Sequence, residues 1–204
     1  MAVSAIAINC SLKKSSGEES STDAMIAVLG QAFAEHDVEI AETIRIADHD
    51  VLPGVTSDEG EGDAWPAIRE KILAHDILIF GGPIWMGQIS SIAKRVLERM
   101  DAFLDETDDQ GRMPSYGKVA IAAIVGNEDG AHKIIADLTQ ALDDIGFTIP
   151  AQGGTYWNGA AMSGTDYKDL DETPEAVRST NAALVRNATH LARLLRAQPY
   201  PPYR

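Results

Sequence analysis

Three polar stretches interrupt an otherwise apolar chain, and their residue types suit the binding of an anion and a planar ring. Residues 10–22, CSLKKSSGEESST, combine Ser11, Ser20, Ser21 and Thr22 hydroxyls with Gly17 and the cations Lys13 and Lys14, just before a helical pattern. Free amide N–H groups at a helix start, with hydroxyl donors and the helix dipole, bind phosphate. No GxGxxG turn and no Walker A loop is present, which excludes nucleoside triphosphate hydrolysis by that route. The same residues also read as a solvated serine-rich loop ending in a threonine cap. In the second stretch, GGPIWMGQI at 81–89, Gly82 and Pro83 turn the chain out of an extended run and set Trp85 in a loop. An indole there can stack on a planar ring while amides near Gly87 approach the ring's polar edge. Alternatively, Trp85 and Met86 cover a core edge or a subunit interface. The third stretch, VGNEDGAH at 125–132, has Gly126 and Gly130 flanking Asn127, Glu128 and Asp129. That composition suits a tight turn against a ligand or an acidic helix start. His132 has no Ser, Cys or second His spaced to make it a catalytic base.

The elements around these stretches alternate between strand and helix. Val3 to Asn9 is a short apolar run, and Met25, Val28, Leu29, Ala32 and Phe33 repeat at helical spacing, with Thr22 or Asp23 as the cap. Val38 to Ile46 alternates like a strand, and 47–65 is an acidic loop containing Pro53. A short helix follows from Trp65, with Pro66 in its first turn, to about Ala74. Residues 76–83 are almost wholly apolar, as a central parallel strand buried on both faces should be. Ile89, Ile92, Ala93, Val96, Leu97 and Met100 mark the next helix, 105–117 an acidic loop, and Val119 to Val125 another buried strand. Ile134 to Ile145 is helical with Gly146 at its end, Phe147 to Pro150 is expected as a fifth strand, and 151–172 is irregular. The last helix spans about Thr173 to Arg196. Five strands separated by helices predict a parallel sheet covered on both faces. Ligands of such sheets bind beyond the carboxyl ends of the strands, where all three polar stretches fall.

The 204 residues suit a single domain, 1–204, with a proline-bearing tail from about 197. With 45% hydrophobic and 24% charged residues the chain packs rather than remaining disordered. Lys and Arg number 17 against 31 Asp and Glu, a net −14 that repels nucleic-acid phosphate. The single cysteine, Cys10, excludes an internal disulfide and a Cys-cluster metal site. No apolar run approaches the roughly 18 residues of a membrane span, and lysines follow the first apolar stretch, the reverse of a signal peptide. Cytosolic residence is expected. The 105–116 stretch fails as a calcium loop because its sixth residue is not glycine and its twelfth is Tyr116. Lys94 and Arg95 read as surface charges, and Tyr156 and Trp157 either cap a ligand pocket or pack beneath the last helix.

Four segments resemble the NAD(P)H-dependent FMN reductases of the flavodoxin-like superfamily: the loop from Ser11 to Thr22, GGPIWMGQISSIAKRVLERMD at 81–101, GNEDGAHK at 126–133 and GGTYWNG at 153–159. The most specific piece is Pro83-Ile84-Trp85 with Gly87, Ser90 and Lys94. The resemblance implies an α/β flavodoxin-like three-layer sandwich with a five-stranded parallel sheet in the order 2-1-3-4-5. It implies that Ser11, Lys13, Ser20, Ser21 and Thr22 hold the FMN phosphate. Pro83, Ile84, Trp85, Met86 and Gly87 would line the isoalloxazine, and Gly126, Asn127, Glu128, Asp129 and Gly130 would meet its far edge. The first loop is longer than the family's usual form, Cys10 stands where glycine is common, and Arg99-Met-Asp101 departs from the family's Asp-Arg order, so those two receive no cofactor role. The implied activity is oxidoreduction: hydride from NAD(P)H enters bound FMN, and electrons leave to a quinone-like or other small acceptor, with no catalytic side chain and no metal. A homodimer is expected, with no nucleic acid and no membrane as partner. The rivals are a flavodoxin-type electron carrier docking a basic partner and a flavin-free regulatory module on the same fold.

Overall fold

The computed structural model describes residues 2–160 and 163–202. Tyr203 and Arg204 of the tail, and 161–162 within the stretch expected to be irregular, lie outside the described residues. Five strands, β1 (Ser4–Asn9), β2 (Glu39–Arg45), β3 (Ile77–Pro83), β4 (Val119–Val125) and β5 (Gly154–Trp157), form one parallel sheet in the order 2-1-3-4-5. The helices are α1 (Ser21–Ala34), α2 (Trp65–Leu73), α3 (Ser91–Met100), α4 (Ala131–Asp144) and α5 (Glu175–Ala197).

Side chains alternate across each strand, so consecutive apolar residues feed two separate cores. Ile6, Ile8, Leu78, Phe80 and Ile124 pack under α2, α3 and α4. Ala5, Ala7, Ile77, Ile79 and Ala123 pack under α1 and α5. This two-sided burial is why β3 and β4 read as unbroken apolar runs. Helix α4 stops where Gly146, at φ 95°, lets the amides of Gly146 and Phe147 return to the carbonyls of Asp143 and Leu142.

Two expectations are corrected. The fifth strand is not Phe147 to Pro150 but Gly154–Trp157. Thr148 does pair with β4, its amide donating to Lys118 O and its carbonyl accepting from Ala120 N. The chain then leaves the sheet: Pro150 has no N–H to donate, and Gln152 turns at φ 59° before pairing resumes. The cap of α1 is neither Thr22 nor Asp23 but Ser20, whose Oγ accepts from the Asp23 amide while the Asp23 carboxylate accepts from the Ser20 amide. Asp23 is the third residue of a capping box, which sets the helix start.

The long 49–64 loop is anchored by the α3 residue Arg99, whose side chain is fully enclosed. Its Nε and Nη1 donate to the carbonyls of Thr56 and Leu52 at 2.9 Å, and its Nη2 lies 2.7 Å from the Asp63 carboxylate. The guanidinium also faces the Trp65 ring, 6.0 Å from its centroid. Lys94 and Arg95 are both exposed, as expected, and Arg95 also donates to Val51 O at 3.2 Å.

Candidate functional site

The 10–20, 84–90 and 126–130 loops all leave the carboxyl ends of adjacent strands and meet at one rim. Order 2-1-3-4-5 puts β1 beside β3 and β3 beside β4, so the three loops are neighbours in space though far apart in sequence. Ser90 joins the first two: its Oγ accepts from Ala93 N as the cap of α3 and lies 2.6 Å from Cys10 O, to which it donates. Ile84 N donates to Val125 O at 2.9 Å, joining the second and third. Gly126 N donates to Trp157 O, and Asn127 Nδ2 to Asp166 Oδ1 at 3.1 Å, which ties the third loop to the segment after β5.

The second loop is a two-residue hairpin. Trp85 and Gln88 exchange both backbone hydrogen bonds at 2.9 Å, with Met86 at φ 52° and Gly87 at φ 69° between them. Positive φ at both central residues is the type I′ geometry, for which asparagine and glycine are favoured. Met86 occupies it at a cost in strain, and such strain gathers at ligand sites. Trp85 and Met86 stand out at 52% and 89% exposure. Neither therefore covers the core edge; the stacking and interface alternatives remain. The tip packs on the third loop so closely that a Cβ at Gly130 (φ 127°) would fall 2.6 Å from Gly87 Cα. Only glycine permits that approach. Gln88 takes a further bond from Lys133 Nζ at 2.9 Å.

The first loop differs from the expected inventory of donors. Ser20 Oγ is fully occupied within the protein, accepting from Asn9 Nδ2 and Asp23 N and donating to Asp23 Oδ2, each at 3.1 Å. Thr22 is buried with its methyl against Gly81. Ser11 is nearly buried, its amide bonded to Asn9 Oδ1 at 2.9 Å, while Lys13 is exposed. Ser21 is half-buried, 3.4 Å from the Lys168 amide. Of the expected donors this leaves Lys13, the Ser21 hydroxyl and the first amides of α1, which no intrahelical carbonyl can reach.

Beneath this loop lies a polar cluster that the sequence did not disclose. Asn9 Nδ2 donates to Asp23 Oδ1 at 2.6 Å, Arg45 pairs with Asp23 Oδ2, and Arg45 Nη1 donates to Lys13 O at 2.8 Å. Burial alone would raise the Asp23 pKa; bonds from the Ser20 amide, Arg45 and Asn9 outweigh it and hold the carboxyl below its ordinary range. Cys10, at the end of β1, is buried and its thiol is pushed far upward, so it supplies no thiolate. His132 is exposed and meets the Tyr156 ring edge-on at 4.8 Å. Trp157 packs against Tyr167 at 5.6 Å on the α5 side of the sheet, which decides for it the placement beneath the last helix. A cavity of about 680 Å³ between the 106–117 loop and Tyr200 lies away from this rim.

A parallel five-stranded sheet of this order, covered by helices on both faces, defines a flavodoxin-like protein. Its family follows from the match of residues 3–161 to the model described as NADPH-dependent FMN reductase: the chain belongs to that family. The divalent metal cation transporter MntH of Mycobacterium bovis is 36% identical over 200 residues, 95% of this chain but only 29% of the transporter's length. The 8-demethyl-8-aminoriboflavin-5'-phosphate synthase of Streptomyces davaonensis is 30% identical, covering 98% of this chain and 81% of its own. The crystal structure of RosB with the bound intermediate 8-demethyl-8-formylriboflavin-5'-phosphate superposes with a TM-score of 0.86 at 30% identity, over 98% of this chain and 82% of that one. The apo NADH:FMN oxidoreductase EmoB shares the fold, with a TM-score of 0.61 at 18% identity over 94% and 89% of the two chains. No helix among the described residues is long and apolar enough to cross a membrane.

Proposed function

We propose that the chain holds riboflavin 5'-phosphate at this rim and acts as an NAD(P)H-dependent oxidoreductase toward a quinone-like or other small acceptor. The observation that carries the reading is the fastening of three loops into one surface, with Gly87 and Gly130 in backbone contact. The residues fit the group. Lys13, the Ser21 hydroxyl and the opening amides of α1 would hold the phosphate. Trp85 would flank the ring system, and amides of the 126–130 turn would bond its polar edge and favour negative charge there. When bound, the flavin supplies hydride acceptance and electron transfer. The protein supplies orientation, and the paired backbone hydrogen bonds between Trp85 and Gln88 hold the hairpin tip despite the strain at Met86. A pyridine nucleotide donor and a single buried thiol suit a reducing compartment, the cytoplasm. Exposed Leu12, Trp85 and Met86 offer a second copy an apolar face beside the site.

The test is a visible spectrum of protein reconstituted with FMN, followed by anaerobic addition of NADPH or NADH. A bound flavin band that bleaches with the nucleotide supports the reading. Absence of FMN uptake overturns it, and uptake without bleaching favours an electron carrier. The similarity to the aminoriboflavin phosphate synthase supports a second reading, in which the flavin phosphate is substrate rather than resident cofactor. Mass spectrometry of the flavin recovered after aerobic incubation with an amino-group donor, which supplies the oxidant and the nitrogen that such a replacement needs, separates the two: an unchanged mass supports the reductase, a changed mass the synthase-like reading.

A further inference from the structure

The loop proposed to hold the flavin phosphate carries an anion at its centre. Asp23 sits in the first turn of α1, where it would repel a phosphate, and Glu18 and Glu19 add to it. From Cys10 to Asp23 the chain has Lys13 and Lys14 against these three acids, one negative charge in excess. Lys13 and Glu18 side chains are 52% and 82% exposed, so solvent and salt screen them. The charges that water screens least are Asp23 and Arg45, at 24% and 9% exposure. Arg45 comes from the end of β2, a strand that contributes none of the expected ligands.

Its geometry is directed at the loop. One nitrogen pairs with Asp23, another donates to Lys13 O at 2.8 Å, and Nε has no hydrogen-bond partner among the described residues although it is shut away from solvent. Because a planar peptide points its C=O and N–H in opposite directions, fixing the Lys13 carbonyl downward turns the Lys14 amide away from Arg45. A buried cationic donor left unpaired is costly, and an anionic acceptor drawn to the loop would relieve it.

We propose that Arg45 is a positioning residue for the flavin 5'-phosphate: it neutralises Asp23 and orients the 13–14 peptide, and so makes the site select FMN over riboflavin. This rests on the flavin-phosphate reading above. A merely structural Arg45 would weaken both flavins together, whereas a phosphate-directed one changes only their ratio.

The experiment is a flavin-fluorescence titration of apoprotein with FMN and, separately, riboflavin, for wild type, Arg45→Met, Arg45→Lys and Asp23→Asn. The expected result is at least a tenfold loss of FMN affinity in Arg45→Met, riboflavin affinity within twofold of wild type, and partial recovery in Arg45→Lys. Asp23→Asn keeps a capping acceptor but removes the anion, so it is expected to raise FMN affinity several-fold and leave riboflavin unchanged; this variant serves if Arg45→Met does not fold. An FMN-to-riboflavin ratio unchanged by Arg45→Met in folded protein, or by Asp23→Asn, overturns the role of Arg45 alone. Wild-type protein that takes up neither flavin overturns the flavin reading and this role with it.

Discussion

Replacing Arg99 by methionine is expected to lower the unfolding free energy by about 3–5 kcal/mol, the range for removing one member of a buried ion pair. Arg99 and Asp63 side chains are both fully enclosed, so neither can turn to water when its partner is lost. Methionine fills the aliphatic space but leaves the Thr56 and Leu52 carbonyls without their donors and Asp63 without its cation. Three amides, of Leu52, Glu59 and Trp65, still serve that carboxylate, which is why the lower half of the range is the better expectation. For a domain of this length the loss corresponds to a fall of roughly 6–20 °C in Tm, readable by circular dichroism. The pH dependence gives a second check. Burial alone would raise the Asp63 pKa, but Arg99 and the three amides hold it far below the ordinary carboxylate range. A depressed folded-state pKa stabilises above the unfolded value of about 4, and that stability is lost as pH falls through the folded value. In Arg99→Met the depression shrinks, so the Tm gap between variant and wild type is widest near neutrality and narrows below about pH 4. A folded variant melting within about 3 °C of wild type, half the smallest expected loss, would refute the anchoring argument.

Gly130→Ala should keep the fold but reduce FMN affinity at least tenfold in a fluorescence titration, because the added methyl must displace the Gly87 backbone 2.6 Å away. Met86→Asn places a residue suited to φ 52° at the hairpin tip and is expected to raise stability by about 0.5–1 kcal/mol in urea denaturation; no gain would contradict the strain assigned there. Ser20→Ala removes the α1 cap and should cost about 1 kcal/mol of stability, with FMN affinity changing less than threefold, since its hydroxyl is already committed to Asp23 and Asn9.

What the sequence made legible is what local chemistry dictates. β3 and β4 were readable because burial on two faces demands uninterrupted apolar residues, and the type and order of the elements followed from that pattern. The loops at the rim were readable because parallel strands all end on the same side. The fifth strand was misplaced because Phe147 and Thr148 do begin to pair with β4, and only Pro150 and the Gln152 turn move the main ladder on to Gly154. The role of Trp157 was undecidable because its neighbour Tyr167 arrives from an irregular stretch.

The contacts that leave no trace in the sequence share one physical property: each joins a charged or polar group to a partner distant in the chain. Arg45 meets Asp23 across 22 positions, and Arg99 meets Leu52 across 47. Neither pairing leaves a periodic trace, and a lone arginine on a strand end or a helix reads as a solvated charge by default. An ion withdrawn from water is costly unless closely paired, and each of these guanidinium groups is bonded to at least one loop carbonyl and a carboxylate. In this chain both arginines hold loops rather than helices or strands. Arg99 fastens the 49–64 segment to α3, and Arg45 sets the underside of the loop that faces the phosphate position. The apolar pattern therefore specifies the sheet, while two buried guanidinium groups specify how the connections lie upon it.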